Sequence, residues 1–145
     1  MYKRILIATD GSELANKAVT QDLELAKGLD ATVTVVTVTD PWPAAELSGL
    51  ISANPIEEYE SIVAQEASKR LAAVAELASK LGVACNTAHV ADRHPAEGIV
   101  ELAKARDCDL IVMASHGRRG IAKLVLGSQA TRVLAESTTP VLICK

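Results

Sequence analysis

Several features typical of secreted and membrane proteins are missing from this chain of 145 residues. There are only three cysteines, Cys85, Cys108 and Cys144, and none forms a C-x-x-C pair with another. An odd number of widely spaced cysteines argues against a disulfide framework or a zinc site, and it fits a reducing cytoplasm. We therefore expect each cysteine to serve as a small apolar residue of the core.

Long apolar runs are also missing. No segment approaches the ~20 consecutive apolar residues of a membrane span. The first residues pair Lys3 and Arg4 with a short apolar run, but Asp10 interrupts that run before it reaches the ~7–15 residues of a signal peptide. The segment is better interpreted as a buried strand.

An excess of positive charge is missing as well. The chain has 15 Lys plus Arg against 18 Asp plus Glu, a formal net charge of −3. This balance argues against general nucleic-acid binding, which needs a basic surface. Hydrophobic residues make up 49% of the chain, which excludes intrinsic disorder.

The chain does contain a regular alternation of short β-branched runs and longer helical patterns. The apolar periodicity, with glycines or prolines at several boundaries, predicts nine elements. Strands are predicted at Lys3–Thr9, Thr32–Thr39, Val83–Val90, Leu110–Ala114 and Val141–Cys144, and helices at Ser12–Lys27, Ile56–Leu81, Pro95–Ala105 and Ser128–Glu136. In this prediction Gly28 ends the first helix and Gly82 ends the second.

This order predicts an α/β fold in which a five-stranded parallel sheet carries helices on both faces. The valines at 33, 35, 36 and 38 fall on both faces of their strand, as expected for a sheet covered on each side. We expect residues 1–145 to form a single domain. The stretch Asp40–Pro55 is longer than usual for a strand–helix loop, and it is either a flap over a site or an ordinary surface loop.

Ligands of such sheets bind beyond the carboxyl ends of the strands, where the strand order reverses. The segment 114–128 leaves the fourth strand, contains Gly117 and Gly120, and reaches the last helix at Gly127-Ser128. Glycines that expose backbone N–H groups, followed by a helix N-terminus, suit a phosphate group. The alternative is a plain turn followed by an ordinary helix cap. Neither G-x-x-x-x-G-K-[ST] nor G-x-G-x-x-G occurs in the chain.

These residues resemble a known family. Met113-Ala114-Ser115-His116-Gly117, nine further residues and then Gly127-Ser128 are similar to the G-x2-G-x9-G-[S/T] pattern of nucleotide-binding universal stress proteins. The opening Ile5–Ser12, the strand Asp109–Met113 and the closing Thr139–Ile143 extend the resemblance along the whole chain. The family has a Rossmann-like fold of the adenine nucleotide alpha hydrolase type. One position departs from the pattern, because Ala114 stands where the family has its first glycine, so the turn there must be possible at negative φ.

The resemblance implies that the chain binds ATP. The implied site consists of phosphate contacts from Gly117, Gly127, Ser128 and the Gln129 amide; Thr9 and Asp10 near ribose and phosphates; Val38 beside the adenine; and Ala8, Met113 and Ala114 along the floor. Asp10 either lies near a Mg²⁺ ion that bridges it to the phosphates or bonds a ribose hydroxyl. The alternative for Asp10 is the N-cap of the first helix.

The resemblance further implies a cytoplasmic homodimer that pairs through Val141–Cys144 and acts as a stress-response sensor or regulator with an unidentified protein partner. We expect no catalytic residue and at most slow ATP hydrolysis. The alternative is a stress protein that binds no nucleotide and acts only through protein contacts. Ser115-His116 resembles a hydrolase nucleophile elbow only weakly, because Met113 replaces its first glycine. His89 and His94, with Asp92 between them, suggest either a metal site or rim histidines, and we favour the latter.

Overall fold

The computed structural model describes residues 1–41, 55–116 and 126–145. Nine elements alternate along them: β1 Arg4–Ala8, α1 Glu13–Gly28, β2 Thr32–Val38, α2 Pro55–Leu81, β3 Cys85–Val90, α3 Pro95–Ala105, β4 Leu110–Ala114, α4 Ser128–Glu136 and β5 Val141–Cys144. The predicted order is confirmed. Most of the long loop, residues 42–54, lies outside the described residues, as does Gly117.

The five strands form one parallel sheet in the order β3-β2-β1-β4-β5. Ile7 lies opposite Val35 of β2 on one side and opposite Val112 of β4 on the other. The chain therefore builds outward from β1 in both directions, and the strand order reverses between β1 and β4. This is the place where α/β sheets bind ligands.

Helices cover both faces of the sheet. Ile5 and Ile7 point into one apolar cluster, which they share with α1 and α2, while Leu6 points into the other, which includes residues of α3 and α4. All three side chains are fully buried. Burial on both faces explains the nearly continuous apolar sequence of β1 and β2.

The helix ends show how local sequence fixes the boundaries. Ser12 caps α1 because its side chain accepts a hydrogen bond from the Ala15 N–H. The helix ends at Gly28, one residue later than the predicted Lys27, but the left-handed turn that follows is made by Asp30, at φ 52°, and not by Gly28. An aspartate tolerates that conformation better than most side chains. Gly82, at φ 75°, follows α2 as predicted.

The cysteines are unpaired. Cys108 is buried, and Cys85 and Cys144 are half-buried. Within the described ranges, no helix combines the length and the apolar character needed to cross a membrane.

Candidate functional site

A cavity of about 830 Å³ opens at the carboxyl ends of β1, β2 and β4. Of the ten residues predicted from the sequence, nine line it: Ala8, Thr9, Asp10, Val38, Met113, Ala114, Gly127, Ser128 and Gln129. Gly117 lies outside the described residues. Segments almost 120 residues apart in sequence therefore converge on one cavity, as expected for a parallel sheet of this order.

The loop between β1 and α1 has a fixed local geometry. The Ser12 N–H donates to Asp10 Oδ1 at 2.8 Å, and the Gly11 N–H donates to Thr9 Oγ1 at 3.3 Å. The N-cap of α1 is Ser12, so the alternative that Asp10 fills that position is wrong. Asp10 instead shapes the turn before the cap and forms part of the cavity wall.

Gly127 brings the start of α4 against the end of β4. Its N–H donates to the Ser115 carbonyl oxygen at 2.7 Å, and a Cβ at this position would lie 2.7 Å from the same oxygen. Gly127 has an ordinary φ of −58°, so the close approach of two backbones explains the glycine. The N-cap residue of α4 is Gly127 itself, which has no side chain to accept a hydrogen bond from the first-turn amides. Among the described residues, Ser128 and Gln129 of this first turn line the cavity.

Gln129 has a second role that its sequence position did not reveal. Its side-chain Oε1 accepts a hydrogen bond from the Ala96 N–H in the first turn of α3 at 3.1 Å. The residue before α3, His94, makes no side-chain cap of its own. One residue of α4 therefore caps the neighbouring helix on the same rim of the cavity.

Ala114 fits its position without backbone strain. It is the last residue of β4, it pairs with Cys144 of β5, and it is not among the residues with positive φ in the described chain. The requirement for negative φ that the sequence imposed is therefore met.

Ser115 and His116 follow β4 into the cavity wall. Ser115 is 4% exposed, and its Oγ lies 3.0 Å from His116 Nδ1. In a hydrolytic triad the serine pairs with Nε2 and an acid orients Nδ1, so this arrangement differs from a triad. His116 Nε2 is buried and has no hydrogen-bond partner among the described residues. A buried polar atom of this kind usually has a partner, and a ligand in the cavity can supply one.

The contribution of α2 was not predicted from the sequence. One side of this helix lines the cavity through Tyr59, Val63, Glu66, Ala67 and Arg70. The spacing of three and four residues was visible, but it was interpreted only as a stripe of core residues. Glu66 and Arg70 extend the same stripe and carry charge, which was the available signal.

Arg70 makes contacts with two other elements of the site. Its Nη1 donates to Thr37 Oγ1 at 2.8 Å, and the hydroxyl of Thr37 donates to the Thr9 carbonyl oxygen at 2.8 Å. The guanidinium also lies against Gly11, where a Cβ would be 2.7 Å from Arg70 Cζ.

The two histidines flagged in the sequence occupy separate positions. His89 Nε2 lies 2.9 Å from Thr39 Oγ1, and burial, with a smaller contribution from the positive charge of Arg70, lowers the pKa of His89. His94 is the N-cap residue of α3. No group of three or more His, Cys, Asp or Glu side chains capable of holding a metal occurs in the described part of the chain. The metal-site alternative for His89, Asp92 and His94 therefore finds no support there.

Comparison with known proteins decides the family, since the model of the Universal stress protein family matches residues 1–145. The chain belongs to the universal stress protein family. Among curated relatives, Universal stress protein MJ0531 of Methanocaldococcus jannaschii is 34% identical over 145 residues, covering 100% of this chain and 83% of the relative.

Solved structures of relatives agree with the fold of this universal stress protein. The structure of hypothetical protein MJ0577 superposes with a TM-score of 0.84 at 28% identity, covering 100% of this chain and 96% of the other. A universal stress protein solved in complex with cAMP gives a TM-score of 0.70 at 24% identity, covering 99% and 96%. At that identity, the second likeness shows the shared fold alone.

Proposed function

We propose that this chain is a single universal stress protein domain that binds ATP in the cavity and acts as a stress-response sensor or regulator. The observation that carries the proposal is the convergence of nine sequence-predicted residues on one cavity at the reversal of strand order. Its volume of about 830 Å³ lies within the range of small-molecule sites.

The phosphates are expected at the N-terminus of α4. Ser128 and Gln129 of the first turn line the cavity, the N-cap residue Gly127 has no side chain to cap the helix, and the helix dipole favours negative charge. His116 Nε2 is a buried polar atom on the same wall that lacks a partner among the described residues. These features suit an anionic group better than an apolar one.

The adenine is expected between β2 and α3. Val38, Ile99 and Met113 give the cavity an apolar section, as a flat aromatic base requires. Asp10, two residues after the end of β1, lines the same cavity. Mg²⁺ usually binds through one or two carboxylates together with phosphate oxygens, so Asp10 is a candidate ligand only when phosphates are present.

The first experiment is nucleotide analysis of the purified protein after heat release, in which ATP is the expected product. The second experiment is thermal unfolding with and without nucleotide. ATP-Mg²⁺ at ~100 times Kd should raise the free energy of unfolding by about 2.7 kcal/mol. For a chain of this size that corresponds to a rise in Tm of roughly 5–10 °C.

Ser128 offers a sharp variant because it is exposed and lies at the first position of α4. Ser128→Glu places a carboxylate where phosphate should bind, yet a negative charge at a helix N-terminus stabilises the helix itself. We expect an unchanged or higher Tm without ligand and no rise with ATP. Ser128→Gln, of the same length but neutral, is the control and should keep most of the rise.

A wild-type protein that no adenine nucleotide stabilises, and that carries none when purified, would contradict ATP binding. That result would favour the alternative of a protein acting through protein contacts only. Ala114, the one departure from the family pattern named above, is not among the described residues with positive φ and so gives no reason to prefer that alternative.

The sensor role rests on slow turnover and on dimerisation, which are also proposals. We expect a cytoplasmic homodimer that pairs through β5, which lies at the sheet edge. We also expect an unidentified protein partner that recognises the nucleotide-bound form. Phosphate release from ATP should be slow, since an ATP-dependent sensor needs a long-lived bound state. Rapid turnover in a phosphate-release assay would argue for an enzyme instead.

A further inference from the structure

The shape of the loop from Thr9 to Ser12 depends on a residue of another element. Two of its hydrogen bonds are local, from the Gly11 N–H to Thr9 and from the Ser12 N–H to Asp10. Gly11 has φ 75°, a conformation that costs glycine little and leaves this loop with few intrinsic restraints. The Thr9 N–H also donates to the Val36 carbonyl oxygen at 3.0 Å, and Asn16 Nδ2 donates to the Gly11 carbonyl oxygen at 3.4 Å. A contact from α2 adds to these restraints.

Arg70 of α2 supplies that restraint through two contacts. Its Nη1 donates to Thr37 Oγ1 at 2.8 Å, and Thr37 donates onward to the Thr9 carbonyl oxygen at 2.8 Å. Thr37 is fully buried and Thr9 is 4% exposed, so this chain of hydrogen bonds runs through the interior. Inside a protein such a chain is stronger than in water, and its charged end strengthens it further.

The second contact is between the guanidinium and Gly11. A Cβ on Gly11 would lie 2.7 Å from Cζ and 2.8 Å from Nη2 of Arg70, so the planar group rests on the bare backbone. The φ of Gly11 favours glycine at this position, and a Cβ there would displace the Arg70 guanidinium. The loop is held from the β2 side by a hydrogen bond and from the α2 side by packing.

We propose that Arg70 is a positioning residue of the cavity, which holds the loop Thr9–Ser12 so that Asp10 is in place before a ligand binds. Arg70 acts through Thr37, Thr9 and Gly11, and its effect on affinity comes from the shape of the loop. The proposal deepens the nucleotide-binding function and rests on it for the affinity measurements, whereas the restraint of the loop can be measured without ligand.

The first test is amide hydrogen exchange of the ligand-free protein. Arg70→Met should speed exchange of the Gly11 and Ser12 amides by about 10-fold or more, the effect of losing a hydrogen bond to a charged group. The amide of Leu6 in β1 should not change. Lys69→Met removes the same charge from an exposed neighbouring residue that does not line the cavity, and it should leave all three amides unchanged.

The second test compares the affinities for adenosine, AMP and ATP. A positioning residue predicts that Arg70→Met weakens all three by a similar factor. Thr37→Val, which removes the intermediate hydroxyl, should do the same, and the double variant should be little worse than either single one. Arg70→Lys keeps the positive charge but lacks the planar guanidinium that donates to Thr37, so its affinities should stay near those of Arg70→Met.

Three results would overturn the proposal: unchanged exchange at Gly11 and Ser12 in Arg70→Met, full recovery in Arg70→Lys, or a loss of affinity that grows with the number of phosphates. The last would make Arg70 a direct contact for phosphate charge. If the wild type binds none of the three ligands, the nucleotide-binding function fails, while the exchange data still decide whether Arg70 holds the loop.

Discussion

At the scale of single residues, glycines of this chain serve two different physical purposes. Gly82 has positive φ and turns the chain after α2, whereas Gly127 has an ordinary φ and is needed because the Ser115 carbonyl oxygen leaves no room for a side chain. A glycine required by close packing cannot be recognised from a sequence motif, since G-x9-G-S does not show which atoms lie next to the glycine. It ties the shape of the candidate phosphate site to the end of β4.

Gly127→Ala should therefore destabilise the protein even without ligand. The added methyl group lies 2.7 Å from a backbone oxygen, and relieving such a clash typically costs about 1–3 kcal/mol. Gly28→Ala is the matched control, because Gly28 is helical and a Cβ added there would have no heavy atom within 4 Å among the neighbours considered. That change should stabilise by about 0.4–1 kcal/mol. Urea unfolding measures both, and equal effects of the two substitutions would refute the close-approach argument.

Burial and charge lower the pKa of His89, and this offers a probe of Arg70. Burial is the larger cause and the positive charge of Arg70 the smaller. Arg70→Met should therefore raise the pKa of His89 part of the way toward its ordinary value, because the remaining burial still disfavours the imidazolium. NMR titration of the ring protons measures the change. A His89 pKa that does not move would show that Arg70 does not hold the described position in solution.

Residues that carry charge on an apolar stripe were the hardest to predict. Tyr59 and Val63 follow the apolar periodicity that predicts α2, but the sequence does not reveal whether such a side of a helix meets the core or a cavity. Arg70 follows at the same spacing and contacts Thr37 across the fold. That contact depends on the packing of α2 against the sheet, which no local pattern encodes.

At the scale of elements, α3 and α4 pack in one apolar cluster, and a side chain of α4 also caps α3. Gln129 accepts a hydrogen bond from the Ala96 N–H, in place of the side-chain cap that His94 does not provide. Gln129→Leu should cost about 0.5–2 kcal/mol, the usual value of a lost helix cap. Gln129→Glu keeps an acceptor oxygen and should remain near wild type in chemical denaturation. Equal losses in both variants would mean that the cap contributes nothing.

Element boundaries were predictable where sequence periodicity and end signals coincide. The bounds of β4, α3, α4 and β5 were predicted correctly, since proline precedes or opens two of them and short β-branched or helical runs define the others. The first helix was less well predicted because Asp30, and not Gly28, takes the left-handed conformation. The flap interpretation of the long loop stays a prediction, since residues 42–54 lie outside the described ranges.

At the scale of the whole molecule, β5 is an edge strand that pairs with β4 on one side. Its carbonyls at Pro140 and Cys144 accept hydrogen bonds from β4, so by alternation the backbone groups of Val141 and Ile143 point away from the sheet. Two such edges can pair antiparallel around a two-fold axis. Leu142 on this strand adds an apolar side chain that is 41% exposed.

We therefore expect a dimer of about twice the 15.2 kDa chain mass in light scattering. Ile143→Pro removes an outward N–H without touching the ladder to β4, and an edge strand tolerates proline. It should shift the protein toward monomer, whereas Ile143→Ala keeps the N–H and should remain dimeric. A wild type that stays at one chain mass at ~100 µM, far above the Kd of most stable interfaces, would contradict pairing through this edge.

The stability of the whole fold should depend on one carboxyl group beneath the same strand. Asp22 of α1 is 3% exposed, and burial raises its pKa to about 6 although the Cys144 thiol donates to Oδ1 at 3.2 Å. Burial, together with the neighbouring carboxylate, raises the pKa of Cys144 to about 11, so the thiol stays protonated and remains a donor. In the unfolded chain the pKa of Asp22 returns to 3.8.

The sign of the pH effect follows from these two values. Between pH 4 and 6 the folded protein binds more protons at Asp22 than the unfolded chain, so this residue lowers the free energy of unfolding as the pH rises. Asp22→Asn keeps an oxygen acceptor and removes the titration. Relative to wild type, the variant should gain about 2 kcal/mol between pH 4.5 and pH 7. Urea unfolding of both proteins at the two pH values isolates this residue, because the other carboxyl groups cancel in the difference. An equal difference in the free energy of unfolding between wild type and Asp22→Asn at both pH values would mean that the carboxyl group of Asp22 is solvated or ionised in the folded protein.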